Sequence, residues 1–136
     1  MILLEEMRMT DEKTENKRAA LRTIAMPADT NSNGDIFGGW ILSQMDVAGA
    51  LIAADKSQSR VATVGIAKMN FHKPVFIGDE VSCYGTIKRI GTTSITIHVE
   101  TWVKRIRLKE EYIVTEGDFT YVAIDEHRNP IPVKRD

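Results

Sequence analysis

Asp46 carries the strongest chemical demand in this sequence. It stands in the middle of an apolar run, GGWILSQMDVAGALIAADK, that begins at Gly38. A carboxylate so placed is unfavourable unless it is paired, hydrogen-bonded or protonated. Gly38 and Gly39 open the run. Taken alone they read as a tight turn that needs glycine dihedrals. At a helix start they also let a ligand reach free backbone N–H groups, where the helix dipole favours negative charge. These donors precede the acid by about two turns, roughly 10 Å along a helix axis. That is far for one carbonyl gripped by one chain. A two-fold dimer would bring Asp46 of one helix near the loop and Gly39 of the other. Such a site holds an oxyanion donor and a general base without a Ser or Cys nucleophile, which suits water-mediated hydrolysis of an activated acyl group.

Other chemistries fit less well. Asp29, Asn31, Asn33 and Gly34 match the start of a calcium loop, D-x-[DN]-x-[DN]-G. The twelfth position, which should supply a bidentate Glu, is Trp40, and Met26-Pro27 precedes the loop where a helix should end. There is no G-x-S-x-G elbow. Cys83 falls on the apolar parity of an alternating segment, the setting of a buried inert thiol. His72, His98 and His127 are scattered, and none shows metal-ligand spacing with another His, Cys or acid. The glycines from Gly34 to Gly39 lack the G-x-G-x-x-G spacing and any surrounding βαβ pattern.

Composition narrows the class. The chain has 136 residues, 43% hydrophobic and 27% charged, which is one globular domain. A net charge of −1 gives no electrostatic case for nucleic acid. One cysteine excludes an intramolecular disulfide and fits a reducing compartment. Ile2-Leu3-Leu4 before Glu5-Glu6 falls short of a signal peptide, and Asp46 and Asp55 interrupt the central run too early for a membrane span. A cytoplasmic protein is expected.

The elements that must position Asp46 follow from periodicity. Residues 1–18 read as a charged leader, with a short helix at its end left open. Residues 19–126 form the domain, and 127–136, with two prolines, a tail. A short strand around Leu21 to Ala25 closes at Pro27. The length and Ala/Leu/Met content of Gly39 to Asp55 predict a helix. Its apolar residues spread around the axis, so burial on all sides is expected. One face is small around the acid: Ser43, Asp46, Gly49, Ala50 and Ala53. That face is expected to meet a partner subunit. Four strands follow, near Val61–Phe71, Val81–Ile87, Ile95–Val103 and Tyr112–Ile124. The short links at Ile77–Asp79, Arg89–Thr92 and Arg105–Glu111 predict antiparallel neighbours. The class is α+β: a curved antiparallel sheet of about five strands around one central helix, self-associating.

The run from Asn31 to Asp46, N-x-N-G-D-I-F-G-G-W-I-L-S-Q-M-D, resembles the signature of hotdog-fold acyl-CoA thioesterases, in particular the YciA-like bacterial acyl-CoA hydrolases. The likeness continues through Val64 to Val75, Gly78 to Gly85 and Ile97 to Lys104, spanning about residues 20 to 126. The resemblance implies hydrolysis of acyl-CoA to free acid and CoA (EC 3.1.2 class), without metal or cofactor. It also implies dimers with composite sites, often assembled as a trimer of dimers, a homohexamer. It maps the essential acid onto Asp46, as general base or attacking carboxylate. A second polar position maps onto Asn31, and the carbonyl-polarising N–H onto Gly39. Phe37, Gly38 and Trp40 flank these as substrate-binding candidates. Gly91, Thr92, Thr93 and Ser94 match a G-R-S-S-like stretch near the nucleotide. Thr92 replaces its arginine, which leaves Lys73 and Arg89 as candidate phosphate contacts. A non-catalytic acyl-CoA or lipid-binding hotdog protein is the alternative. A hydratase would need a catalytic His in the loop or helix, and none lies there.

Overall fold

The computed structural model describes residues 18–105 and 107–134. The expected leader, apart from Arg18, and the short helix at its end lie outside the described residues. The elements run β1 (Leu21–Ile24), a 3-10 turn (Pro27–Asp29), α1 (Gly38–Ser57), β2 (Arg60–Phe71), β3 (Glu80–Ile90), β4 (Ser94–Arg105) and β5 (Glu110–Ile124). The strands form one antiparallel sheet in the order β1-β3-β4-β5-β2.

The alternation predicted for β4 is borne out. Ile95, Ile97, Val99, Thr101 and Val103 are buried beneath α1, and the residues between them point to the outer face. β5 adds Val114, Phe119, Tyr121 and Ala123 to the same core. The helix ends where Gln58 adopts a left-handed conformation (φ 52°) and its side-chain amide donates to the Asp55 carbonyl at 2.6 Å.

Three expectations need correction. The first concerns the link at Ile77–Asp79, which does not join neighbouring strands: β2 pairs with β5, and β4 and β5 stand between β2 and β3. Residues 72–79 cross that gap of about 14 Å, three strand spacings of roughly 4.8 Å. The N–H groups of His72 and Lys73 donate to the Val114 carbonyl at the start of the crossing. At its end Arg105 donates to Asp79 at 3.2 Å and stacks over Phe76. Strand alternation fixes which side chains share a face, not which strands are neighbours, so a crossing link is indistinguishable from a hairpin by parity.

The second concerns the burial of α1, which is not buried all round within one chain: Val47 is 50% exposed and Leu51 54%. The third concerns two of the small residues, Gly49 and Ala53, which serve the chain's own sheet, whereas Ser43 is exposed and Asp46 and Ala50 are half-buried. Gly49 and Ala53 are buried, and a Cβ at Gly49 would fall 2.2 Å from the Tyr121 hydroxyl. Small side chains are needed there because a large aromatic of β5 reaches across to the helix.

The residues beyond β5 fold back. Asp125 accepts the N–H groups of His127 and Asn129, each at 2.8 Å. Those backbone donors hold its carboxyl below the usual carboxylate range. Ile131 then donates to Ala123, and Val133, nearly buried, donates to Thr92.

Candidate active site

Asp46 lies midway along α1, half-buried, on the side facing β2 and β5. The Thr63 hydroxyl of β2 donates to its Oδ1 at 2.8 Å. The Tyr121 hydroxyl of β5 lies 3.1 Å from the same Oδ1 and 2.9 Å from the Asp46 main-chain oxygen. These donors meet the demand that an acid in an apolar run creates: two neutral hydroxyls solvate the carboxylate in place of water. Burial, then the charge of Asp46 and the bond to it, hold the Tyr121 phenol well above its ordinary range, so it is a permanent donor.

The helix start carries the second feature. Phe37 is the N-cap and supplies no side-chain cap. Trp40 and Ile41 both donate to its carbonyl, at 3.1 and 3.2 Å. The Gly38 and Gly39 N–H groups have no acceptor among the described residues, and a Cβ at Gly39 would meet open space. The Phe71 ring at the end of β2 lies 3.5 Å from where a Cβ of Gly38 would be. Phe37 itself is exposed and Trp40 half-buried.

The loop before the helix is a small closed turn. Asn31 Oδ1 accepts the N–H groups of Asn33 and Asp35 at 2.9 and 3.1 Å. Asn31 N–H donates to the Asp35 carbonyl at 2.7 Å, and Phe37 N–H to that of Asp29 at 2.9 Å. Asp29 Oδ2 accepts Met26 N–H at 3.0 Å. Oxygens that the calcium pattern would assign to an ion therefore brace backbone, and Asn31 holds the loop that feeds Gly38.

The remaining candidates divide between the two ends of the sheet. Phe71 pairs with Thr115 and Thr115 with Thr101, which puts the helix start at one end. Ser94 pairs with Val122 and Arg60 with Ile124, which puts Gly91, Thr92, Thr93 and Ser94 at the other. Arg89, exposed beside the β3 bulge, flanks that turn. Lys73 lies at the helix-start end with its ammonium 4.4 Å from the Tyr112 ring centroid. One chain thus brings Asp46, Thr63 and Tyr121 together, and leaves Gly39 and the Gly91–Ser94 turn apart.

Thr63 and Tyr121 are residues that sequence reasoning missed. The available signal was Tyr121 on the inward parity of β5, because a buried phenol requires a partner. Histidine spacing also needs correction: the ligand atoms of His98, Glu100 and Glu116 lie within 4.8 Å of one another on the outer face. His98 and Glu100 are two apart on a strand, and Glu100 pairs with Glu116, so all three share that face. They belong to a charge network in which His98 Nδ1 meets Asp118 at 2.8 Å and His72 meets Glu116 at 2.8 Å.

One helix laid on a single antiparallel sheet of order β1-β3-β4-β5-β2, with an acid at mid-helix and glycines at its start, defines a hotdog-fold protein of thioesterase type. Residues 33–110 match the family model for the thioesterase superfamily. The acyl-CoA thioester hydrolase YciA of Escherichia coli K12 is 49% identical over 119 residues, 84% of this chain and 90% of that protein. The hexameric thioesterase y2039 of Yersinia pestis is 50% identical with a TM-score of 0.83, covering 88% of this chain and 98% of that one. A hexameric hotdog fold thioesterase of Campylobacter jejuni is 42% identical with a TM-score of 0.82, covering 85% and 90%. The chain belongs to the thioesterase superfamily.

Proposed function

We propose that this protein hydrolyses acyl-CoA thioesters to the free acid and CoA, as a homo-oligomer whose active sites are shared between two chains. The observation that carries this reading is a carboxylate, Asp46, that is hydrogen-bonded but has no ion-pair partner among the described residues and is tied to the edge strand β2 through Thr63. Among the described residues β2 pairs on one side only, with β5. Val64 and Ile66 of β2 and Val47 and Leu51 of α1 are apolar side chains left exposed on the two elements that the Thr63–Asp46 bond joins. An antiparallel two-fold pairing of β2 with its copy sets the Thr63 end of one strand opposite the Phe71 end of the other. Asp46 of one chain then approaches the Gly38–Gly39 start of its partner, which explains how donors and acid separated along one helix serve one thioester. The hexameric relatives support such assembly, and a trimer of dimers is the form we expect here.

In this site the Gly39 N–H stabilises the oxyanion, and Asn31 braces its loop and faces the thioester. Asp46 either takes a proton from water or attacks the carbonyl directly, in which case the C–S bond breaks to release CoA thiolate and water then hydrolyses the mixed anhydride. In the first mode water oxygen bonds the acyl carbon as its proton moves to Asp46. The C–S bond then breaks, and the proton passes to the leaving CoA sulfur. Phe37, Gly38 and Trp40 border the acyl and pantetheine path. Arg89 and the Gly91–Ser94 turn, with Lys73 from another position in the assembly, are assigned to the nucleotide. The reaction calls for no metal and no cofactor beyond the CoA of the substrate. Among the described residues no helix is long and apolar enough to cross a membrane. The single free, buried Cys83 suits the reducing cytoplasm where we place the protein.

The test is thiol release from an acetyl- to palmitoyl-CoA panel. Wild type should turn over at least one member, and Asp46→Asn should bind substrate and keep its oligomer while losing turnover. Ligand binding without thiol release by wild type would instead mark a non-catalytic acyl-CoA-binding protein.

A further inference from the structure

We infer that Tyr121 is a positioning residue for Asp46 and that it selects Oδ2 as the reacting oxygen. The inference rests on the hydrolase reading above and specifies which atom works. Tyr121 is fully buried on β5 and reaches across the sheet to the helix. Its single proton is shared between Asp46 Oδ1 at 3.1 Å and the Asp46 main-chain oxygen at 2.9 Å. Thr63 donates to the same Oδ1 from β2, at 2.8 Å. Oδ1 therefore faces donors from two strands, while Oδ2 has none among the described residues.

That asymmetry has chemical consequences. An oxygen that already accepts two hydrogen bonds is the weaker base and the weaker nucleophile of the pair, because its lone pairs are engaged. Oδ2 keeps its lone pairs. It is the oxygen that takes the proton from water as the water oxygen bonds the acyl carbon, or that bonds this carbon itself. In the second case the C–S bond breaks and CoA thiolate leaves, giving a mixed anhydride that water then cleaves to the free acid and Asp46. Two fixed donors also stop rotation of the carboxylate, so the free oxygen holds one direction through the reaction.

Gly49 belongs to the same device. A Cβ there would stand 2.2 Å from the Tyr121 hydroxyl and 2.9 Å from its Cζ. Glycine at this helix position is what lets the phenol sit one turn below Asp46. No helix-packing demand alone requires a hydroxyl at the end of that ring, since phenylalanine fills the same space.

The experiment is a double-mutant cycle on steady-state thiol release, with oligomer size checked for each protein. Tyr121→Phe should lower kcat by about tenfold to a hundredfold with KM within about twofold, the scale of one lost hydrogen bond to a charged group. In an Asp46→Asn background the same change should leave the residual rate unaltered, because Tyr121 acts only through the carboxylate. A general structural role would lower both backgrounds alike. Should Tyr121→Phe fail to assemble, Gly49→Ala keeps the phenol, displaces its hydroxyl, and should show the same kcat-only loss. Wild-type kcat in the folded variant, a loss confined to KM, or an equal loss in the Asp46→Asn background overturns the inference. If wild type releases no thiol from any acyl-CoA, the hydrolase reading itself fails. A normal wild type beside an unaffected Tyr121→Phe removes this inference alone.

Discussion

Asp46 and Asp118 are carboxylates on opposite faces of one sheet, and their partners differ in kind. Asp118 is nearly buried on the outer face, where Lys88 donates to Oδ2 at 2.6 Å and His98 meets Oδ1 at 2.8 Å. Burial pushes its carboxyl up, but those two bonds and the charges behind them outweigh burial and leave it below the ordinary range. Among the described residues the Asp46 carboxylate meets only hydroxyls, both at Oδ1. The first acid has both oxygens engaged by groups that carry or can take charge, and is therefore structural. The second is held in place with no charged partner among the described residues, which leaves Oδ2 open for the proposed reaction. The identity of the donors, more than burial, separates the two carboxylates and underlies the reactive role proposed for Asp46.

The largest expected contrast is in turnover. Asp46→Asn should cut kcat by about a hundredfold to ten-thousandfold, the range for losing a general base, while Asp118→Asn leaves kcat within about twofold of wild type. Thiol release at saturating acyl-CoA measures both. Equal losses would erase the distinction between the two faces.

A smaller contrast lies in the pH dependence of stability. Because folding depresses the Asp118 carboxyl, its contribution is complete above the unfolded value, near pH 4, and is lost as the pH falls through the folded value. Thermal melts from pH 6 to pH 2 should show wild type losing midpoint steeply in the acid range. Asp118→Asn should start lower at neutral pH and fall less steeply. An unchanged acid slope would show that Asp118 is not a source of the acid lability.

The smallest effect concerns Cys83. Burial raises its thiol to about 11, against a partly offsetting bond with Thr101 at 3.5 Å. Native protein at pH 8 should resist alkylation by iodoacetamide, which mass spectrometry reads directly, and should keep full turnover after the treatment. Rapid native labelling would show that this part of the core opens.

Much of this was legible in the sequence where a single local rule decided the matter. The helix was plain from Gly39 to Asp55 because length and composition agree, and β4 was plain because its alternation is unbroken. Asp46 stood out because it violates the pattern around it. Tyr121 and Thr63 did not, since each is an ordinary strand residue until β5 and β2 are brought beside α1 by the sheet order. That order was hidden as well, because the crossing over residues 72–79 leaves no mark on strand parity. The outer-face network was hidden for a related reason: Lys88, His98 and Asp118 come from three strands, and β3 aims Lys88 from a bulge between Ile87 and Arg89.

The central claim is that acid and oxyanion donor come from different chains, and subunit complementation tests it most directly. Asp46→Asn removes the acid from one chain, and Asn31→Ala loosens the loop that presents Gly39 in the other. Each variant alone should be nearly inactive. Unfolded together and reassembled, they should form mixed dimers in which one of the two sites has an intact acid and an intact loop, so thiol release returns to a substantial fraction of wild type. If Asp46 and the loop of the same chain form the site, every site in the mixture carries a defect, and the reassembled protein will stay as inactive as its parents.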